Sequence, residues 1–79
     1  MVYTDGIHLI ASSIEELHQF ANKIGLNKCY YQNPKKKRHP HYDIMSADIH
    51  EKVFENGAQL VTNKEIVKFC KKFYGERVI

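Results

Sequence analysis

Hydrophobic positions recur along this chain at two different spacings, which separate helical from extended segments. Three segments repeat apolar residues at three- and four-residue steps, a pattern that is typical of amphipathic helices. The predicted helices begin near Ser13, Ser46 and Thr62 and end at Gly25, Gly57 and Gly75. A hydroxyl residue before the apolar stripe and a glycine after it are the residues that usually begin and end helices.

Three other segments are short, apolar and rich in β-forming residues: 2–11, 28–32 and 58–62. Asp5-Gly6 lies within the first segment, and we expect the strand to bulge or break there. Strands that alternate with helices indicate βαβ units and a parallel sheet. The sequence therefore predicts a single α/β domain over residues 1–79, with a three-layer βαβαβα architecture. Its three-stranded, mostly parallel sheet has the first strand in the middle and helices on both faces.

The loop predicted between the second strand and the second helix, residues 33–43, concentrates the unusual side chains. It contains four consecutive cations followed by a run of histidine, proline, tyrosine and aspartate, namely Lys35, Lys36, Lys37, Arg38, His39, Pro40, His41, Tyr42 and Asp43. Ligands of open α/β sheets bind at the carboxyl ends of the strands, where this architecture places the loop. We therefore expect the functional site here.

Phosphate binding is the first function that this loop indicates. The formal net charge is only +3, but four of the twelve Lys and Arg residues lie in one run. Lys36, Lys37 and Arg38 would neutralise phosphates, because arginine in particular pairs with them in bidentate fashion. His41 and Tyr42 would hydrogen-bond or stack on a base, since aromatic rings beside cations are typical of nucleotide sites. Asp43 would orient His41 or a ribose.

Metal binding is the alternative for the same loop. On an extended segment alternate residues face one side, so His39, His41 and Asp43 could converge on a zinc or iron ion. A second triad, His8, His41 and Asp43, would hold the ion of a metal-dependent enzyme, with His18 or Glu65 as the base. The simpler interpretation is that His41 and Asp43 bond to each other or to the backbone and so fix the loop.

The rest of the sequence sets the environment that we expect for this site. Cys29 and Cys70 are interpreted as buried, reduced thiols. The sequence shows no apolar segment long enough to span a membrane and no recognisable targeting segment. We therefore expect a cytoplasmic protein. A chain of 79 residues buries only about 60% of its unfolded surface, and association into a homo-oligomer would compensate. The sequence contains no P-loop, glycine-rich dinucleotide fingerprint or nucleophilic triad.

Several spaced motifs together resemble one known family. They are His8-Leu9-Ile10-Ala11, Glu16-Leu17-His18-x-Phe20-Ala21, Ile24-Gly25-Leu26, Pro40-His41-Tyr42-Asp43, Gly57-Ala58, Val61 and Glu65. The pattern is similar to that of short bacterial and phage-encoded proteins classed as a domain of unknown function. This resemblance implies a compact α/β domain and supplies no activity. The polar positions that it carries over are Asp5, His8, His18, His41, Tyr42, Asp43 and Glu65.

Two departures from the family pattern affect those positions. Members often have Asp-Asp after the first strand, where this chain has Asp5-Gly6 and therefore lacks the second acidic residue of the pair. Members also tend to be basic shortly after the Tyr-Asp, where this chain offers His50 and Lys52.

These observations lead to three hypotheses. The first is a non-enzymatic binder of a phosphorylated small molecule, with a nucleotide as the leading candidate, that needs no cofactor. It would use Lys36–Arg38 and His41–Asp43, with His8 and His18 converging on the loop. The phage resemblance implies a concrete version, in which the protein sequesters a nucleotide signal of host immunity. The second is a small metal-dependent phosphoesterase or nuclease. The third is an adaptor that binds nucleic acid or protein through the basic loop.

Overall fold

The computed structural model describes residues 1–32 and 40–74. The predicted phosphate ligands Lys36, Lys37 and Arg38 lie outside the described residues, as does His39. The elements in chain order are β1 (Val2–Thr4), β2 (His8–Ala11), α1 (Ile14–Ile24), a 3-10 turn (Lys28–Tyr30), β3 (Tyr31–Gln32), β4 (His41–Asp43), α2 (Ala47–Glu55), β5 (Gln59–Leu60) and α3 (Asn63–Tyr74). No helix in this part of the chain is long and apolar enough to cross a membrane.

The strands form one mixed sheet in the order β3-β4-β2-β1-β5. Three of its neighbouring pairs are antiparallel, and only β1 and β5 run parallel. The predicted α/β class is confirmed. The prediction of a three-stranded, mostly parallel sheet with the first strand in the middle is wrong, because the described chain forms five strands with β2 at the centre.

The main cause of this difference is the turn at Asp5-Gly6, which reverses the chain instead of bulging one strand. Gly6 has a φ of 97°, in the left-handed region that glycine adopts at little cost. The Asp5 carboxylate accepts hydrogen bonds from the amides of Ile7 and His8 and so closes the turn. Residues 2–11 therefore make an antiparallel hairpin, with Thr4 opposite Leu9.

The segment 28–32 is extended only at its end. Asn27 caps a 3-10 turn by accepting the Cys29 amide at 2.9 Å, and the chain becomes a strand at Tyr31. Cys29 is exposed, so the prediction that both cysteines are buried is wrong for this one and confirmed for Cys70. The strand β4 begins inside the predicted loop, and it brings His41 and Asp43 into the sheet.

Helices cover both faces of the sheet, as predicted. Alternating residues of β1 and β2 point to opposite sides, so each face has its own apolar cluster. Helices α1 and α2 pack on Val2, Leu9, Ala11 and Tyr42. Helix α3 packs on Ile10 through Ile66 and Cys70, with the rings of Tyr3, Phe69 and Phe73 beside them.

The end of α1 gives a first test of this fold. Gly25 has a φ of 77°, and the amide of Leu26 donates to the Ala21 carbonyl at 2.8 Å, which satisfies the last turn. A Cβ at Gly25 would meet nothing within 4 Å, so Gly25→Ala changes the backbone energy alone. We expect a cost of about 1 kcal/mol, measured by thermal unfolding. Gly25→Asn should cost less, because asparagine tolerates the left-handed conformation. Equal unfolding temperatures for the parent protein and Gly25→Ala would contradict a left-handed residue 25.

Candidate metal centre

Strands β2 and β4 bring three metal-ligating side chains to one face of the sheet. His8 lies opposite Asp43, and Leu9 lies opposite Tyr42, in an antiparallel register. Because the side chains of a strand alternate, His41 and Asp43 project to the same side as His8. One ligand atom from each of these three residues lies within 4.8 Å of the other two. Within residues 1–32 and 40–74, no other group of three or more His, Cys, Asp or Glu residues meets this criterion.

The three side chains are partly open to solvent. Those of His8 and Asp43 are 34% and 29% exposed, and that of His41 is 12% exposed. The two imidazole rings meet edge to face with centroids 5.3 Å apart. Nε2 of His41 is 3.5 Å from the Asp43 carboxylate, at the outer limit of a hydrogen bond. The triad is therefore compact enough to share one cation and accessible enough to exchange it.

Asp5 lies behind His8 and makes four hydrogen bonds. Its Oδ1 accepts from the amides of Ile7 and His8 at 2.9 and 2.7 Å. Its Oδ2 is 2.9 Å from Nδ1 of His8 and accepts from the Asn63 side chain at 3.0 Å. Burial alone would raise the pKa of this carboxyl, but the hydrogen bonds outweigh burial and hold the pKa far below its usual range. Asp5 is thus an anion that faces the imidazole of His8.

His18 and Tyr42 lie on the opposite face of the sheet. Nδ1 of His18 and the Tyr42 hydroxyl are 2.7 Å apart, and the ring of Tyr31 packs against both. His8 and His18 therefore approach the predicted loop segment from opposite faces of the sheet and do not meet at one site. Tyr42 is only 1% exposed, and burial, with a smaller contribution from Tyr31, raises the pKa of its hydroxyl. A ring buried in this way has no free face on which a base could stack.

Glu65 is also engaged away from the triad. Its carboxylate accepts the Thr62 amide at 2.9 Å, and its own amide donates to the Thr62 hydroxyl at 3.2 Å. These two reciprocal hydrogen bonds form a capping box at the start of α3. Neither of the two predicted bases, His18 and Glu65, therefore lies at the three ligand atoms.

The contact between Asp5 and Asn63 is the part of the site that sequence reasoning missed. The Asp-Gly dipeptide correctly indicates a turn, and that role accounts for Oδ1 of Asp5. Asn63 is 58 residues away, and no local pattern pairs the two residues. Only the packing of α3 on the sheet brings them together.

Comparison with known proteins gives a family but no activity. A family model described as "Protein of unknown function (DUF4031)" matches residues 4–73, which is nearly the whole chain. No curated protein and no solved structure shows significant similarity to the chain.

Proposed function

The chain belongs to the family of proteins of unknown function DUF4031, and we propose that it binds a divalent metal ion through His8, His41 and Asp43. The convergence of their three ligand atoms within 4.8 Å carries this proposal. Two imidazoles and one carboxylate form a donor set that suits Zn²⁺, and also Fe²⁺. Three protein ligands leave coordination positions open, and the exposure of His8 and Asp43 supports access from solvent.

We propose that the partner of this site is a phosphorylated compound. The run Lys35–Arg38 ends three residues before His41 in the sequence, so four cations directly precede the strand that supplies two of the ligands. Phosphate oxygens are recognised by arginine and lysine and also coordinate divalent ions. The nucleotide expected from the sequence fits this combination, with its phosphates rather than its base as the recognised group.

If the partner is phosphorylated, the reaction that an open, two-histidine, one-carboxylate site supports is hydrolysis of a phosphate ester. A divalent ion supplies Lewis-acid activation of water and of a phosphoryl oxygen. In the overall step a water oxygen bonds to phosphorus, the ester P–O bond breaks, and the proton that the water loses is taken up by the departing alcohol. Of this chain, His8, His41 and Asp43 would hold the ion, and Lys36–Arg38 would compensate the charge of the phosphate.

A second candidate is sequestration of the nucleotide without turnover, including the immune-signal version and the homo-oligomer that the sequence suggested. One observation favours it: both predicted bases are engaged elsewhere, His18 with Tyr42 and Glu65 with Thr62. A protein that holds a metal–phosphate complex needs no base. The two candidates therefore share the ion and the phosphate and differ only in turnover.

Metal loading of the purified protein tests the proposal. We expect isothermal titration to show one Zn²⁺ per chain, removable by chelator. Bis(4-nitrophenyl) phosphate and 4-nitrophenyl phosphate then report hydrolysis, which should depend on the ion and stop when chelator is added. Metal binding with nucleotide binding but no hydrolysis would select sequestration. Protein that takes up no divalent ion would overturn the metal site, and salt-sensitive binding to any polyanion would then favour the adaptor.

Charge reversal of the basic run tests the phosphate partner separately. Lys36→Glu, Lys37→Glu and Arg38→Glu together should lower the affinity for a nucleotide and flatten its dependence on salt, because fewer cations meet the phosphates. Metal affinity should stay unchanged. The control variant replaces three exposed lysines of α3 with glutamate and so changes the net charge by the same amount. These lysines are Lys68, Lys71 and Lys72. Equal losses of nucleotide affinity in both triple variants would show a general charge effect and contradict a phosphate site at the run.

A further inference from the structure

We propose that Asp5 is a positioning residue that fixes the tautomer of His8, so that its Nε2 is presented to the ion. This inference rests on the metal site proposed above and adds to it a residue that contacts no ion itself. Its basis is the 2.9 Å contact between Oδ2 of Asp5 and Nδ1 of His8. A charged carboxylate only accepts hydrogen bonds, so Nδ1 must carry the proton, and in the neutral ring Nε2 then keeps its lone pair.

The burial of the two side chains, Asp5 and His8, supports this arrangement. The Asp5 side chain is 7% exposed, whereas that of His8 is 34% exposed. The carboxylate is therefore the more buried partner, as expected of a group that supports the imidazole from the protein side. A carboxylate that holds the outer nitrogen of a histidine ligand is a common arrangement in metal sites, where it orients the ring and raises its basicity.

Turn formation alone does not account for this arrangement. Oδ1 of Asp5 accepts the amides of Ile7 and His8, which is all that the turn requires. Oδ2 faces the His8 ring and the Asn63 side chain instead. Asn63 is the first residue of α3, so its 3.0 Å hydrogen bond ties the carboxylate to the helix that covers this face of the sheet.

Asp5→Asn is the decisive variant, because it keeps the shape of the side chain and changes only the hydrogen bonding of the atom that faces Nδ1 of His8. The amide oxygen can still accept both turn amides, which leaves the amide nitrogen facing Nδ1 of His8. That nitrogen donates, so Nδ1 must give up its proton and Nε2 must carry it. A protonated Nε2 cannot coordinate a metal. We expect Zn²⁺ affinity to fall by about 10- to 100-fold, as for other changes behind a metal-binding histidine.

The tautomer itself is measured without metal. Long-range ¹H–¹⁵N correlation spectra of the ion-free protein in alkaline buffer distinguish a proton on Nδ1 from one on Nε2. We expect the His8 ring to carry it on Nδ1 in the parent protein and on Nε2 in Asp5→Asn. A purely structural role for Asp5 would lower the unfolding temperature without moving the proton. Asn63→Ala should leave the tautomer on Nδ1 and lower metal affinity less than Asp5→Asn does.

Asp48→Asn is the matched control, because it removes the same charge from an exposed aspartate in the first turn of α2. It should leave both the tautomer and the metal affinity unchanged. If the parent protein binds Zn²⁺ and Asp5→Asn binds it equally tightly, the role of Asp5 is overturned and the proposed metal site stands. If the parent protein binds no divalent ion, the metal site itself fails, and the inference fails with it.

Discussion

Replacement of His41 by alanine is expected to abolish stoichiometric metal binding. His41 supplies one of the three ligand atoms that lie within 4.8 Å of one another, and its removal leaves a single imidazole and a single carboxylate. Two ligands do not define a metal site. The loss of Zn²⁺ affinity should therefore exceed the roughly 10- to 100-fold loss that is usual when a residue supporting a metal ligand is replaced. Isothermal titration with Zn²⁺ measures the affinity, and the absorption spectrum of the Co²⁺ form reports whether a coordinated site remains.

Two further variants separate ligation from packing. The His41 side chain is only 12% exposed, so alanine also removes buried contacts. His41→Gln keeps a polar side chain of similar length and should lose the metal to the same extent. His50→Ala is the matched histidine control, because His50 is exposed on α2 and its ring packs against Phe54. Wild-type affinity in His41→Ala, or an equal loss in His50→Ala, would place the ion elsewhere and refute this triad.

The triad owes its geometry to antiparallel pairing. The predicted position of the site is at the carboxyl ends of parallel strands, where loops meet. In the structure β2 and β4 run antiparallel side by side, and His8 faces Asp43 directly across the pair. Two residues of one strand and one of its neighbour then share a face with no loop involved. Ligands supplied by adjacent strands are held more rigidly than ligands on a loop, which suits a site that must keep its geometry.

The helices could be predicted because their signals are local. The Ser13 hydroxyl accepts the Glu16 amide, and Thr62 and Glu65 cap α3 reciprocally, as their spacing indicates. The predicted end of α1 is confirmed, since Gly25 ends the helix in the left-handed conformation. The predicted end of α3 at Gly75 lies outside the described residues. Each of these contacts joins residues three or four positions apart, so the sequence pattern contains both partners.

The sheet could not be predicted to the same degree because its pairing is not local. Strands β3 and β5 have two residues each, too few to show an alternating pattern. The Asp5-Gly6 signal was recognised, but a bulge and a reversal share it, and only the pairing of Val2 with Ala11 distinguishes them. Once residues 2–11 form a hairpin, the number of strands, their order and their directions all change.

Because strand pairing is not local, the sequence predicts only part of the site. His8, His41 and Asp43 were identified as a triad from their residue types, and the register of β2 and β4 places them together. Tyr42 is adjacent in sequence, yet it points away, because neighbouring residues of a strand face opposite sides. Residue type indicates which chemistry is available, but the register decides which residues can act together.

Tyr42 is therefore expected to act on stability rather than on ligand binding. Its ring is 1% exposed in the cluster beneath α1 and α2, and its hydroxyl pairs with His18 at 2.7 Å. Tyr42→Ala should cost about 3–5 kcal/mol, the usual cost of removing a buried aromatic ring. A domain of this length has roughly 4–12 kcal/mol in total, at about 0.05–0.15 kcal/mol per residue. Between about a quarter and all of the free energy of unfolding would be lost. Chemical denaturation followed by circular dichroism measures this loss.

Tyr42→Phe separates the hydroxyl from the ring. It keeps the buried ring and removes only the hydrogen bond to His18, so we expect a cost of about 1 kcal/mol. Because Tyr42 and the triad lie on opposite faces, the folded Tyr42→Phe protein should bind Zn²⁺ and nucleotide with unchanged affinity. Should it instead lose nucleotide affinity while keeping its stability and its metal, Tyr42 would contact the ligand directly. The phosphate partner would then have to approach from the α1 side of the sheet, away from His8, His41 and Asp43.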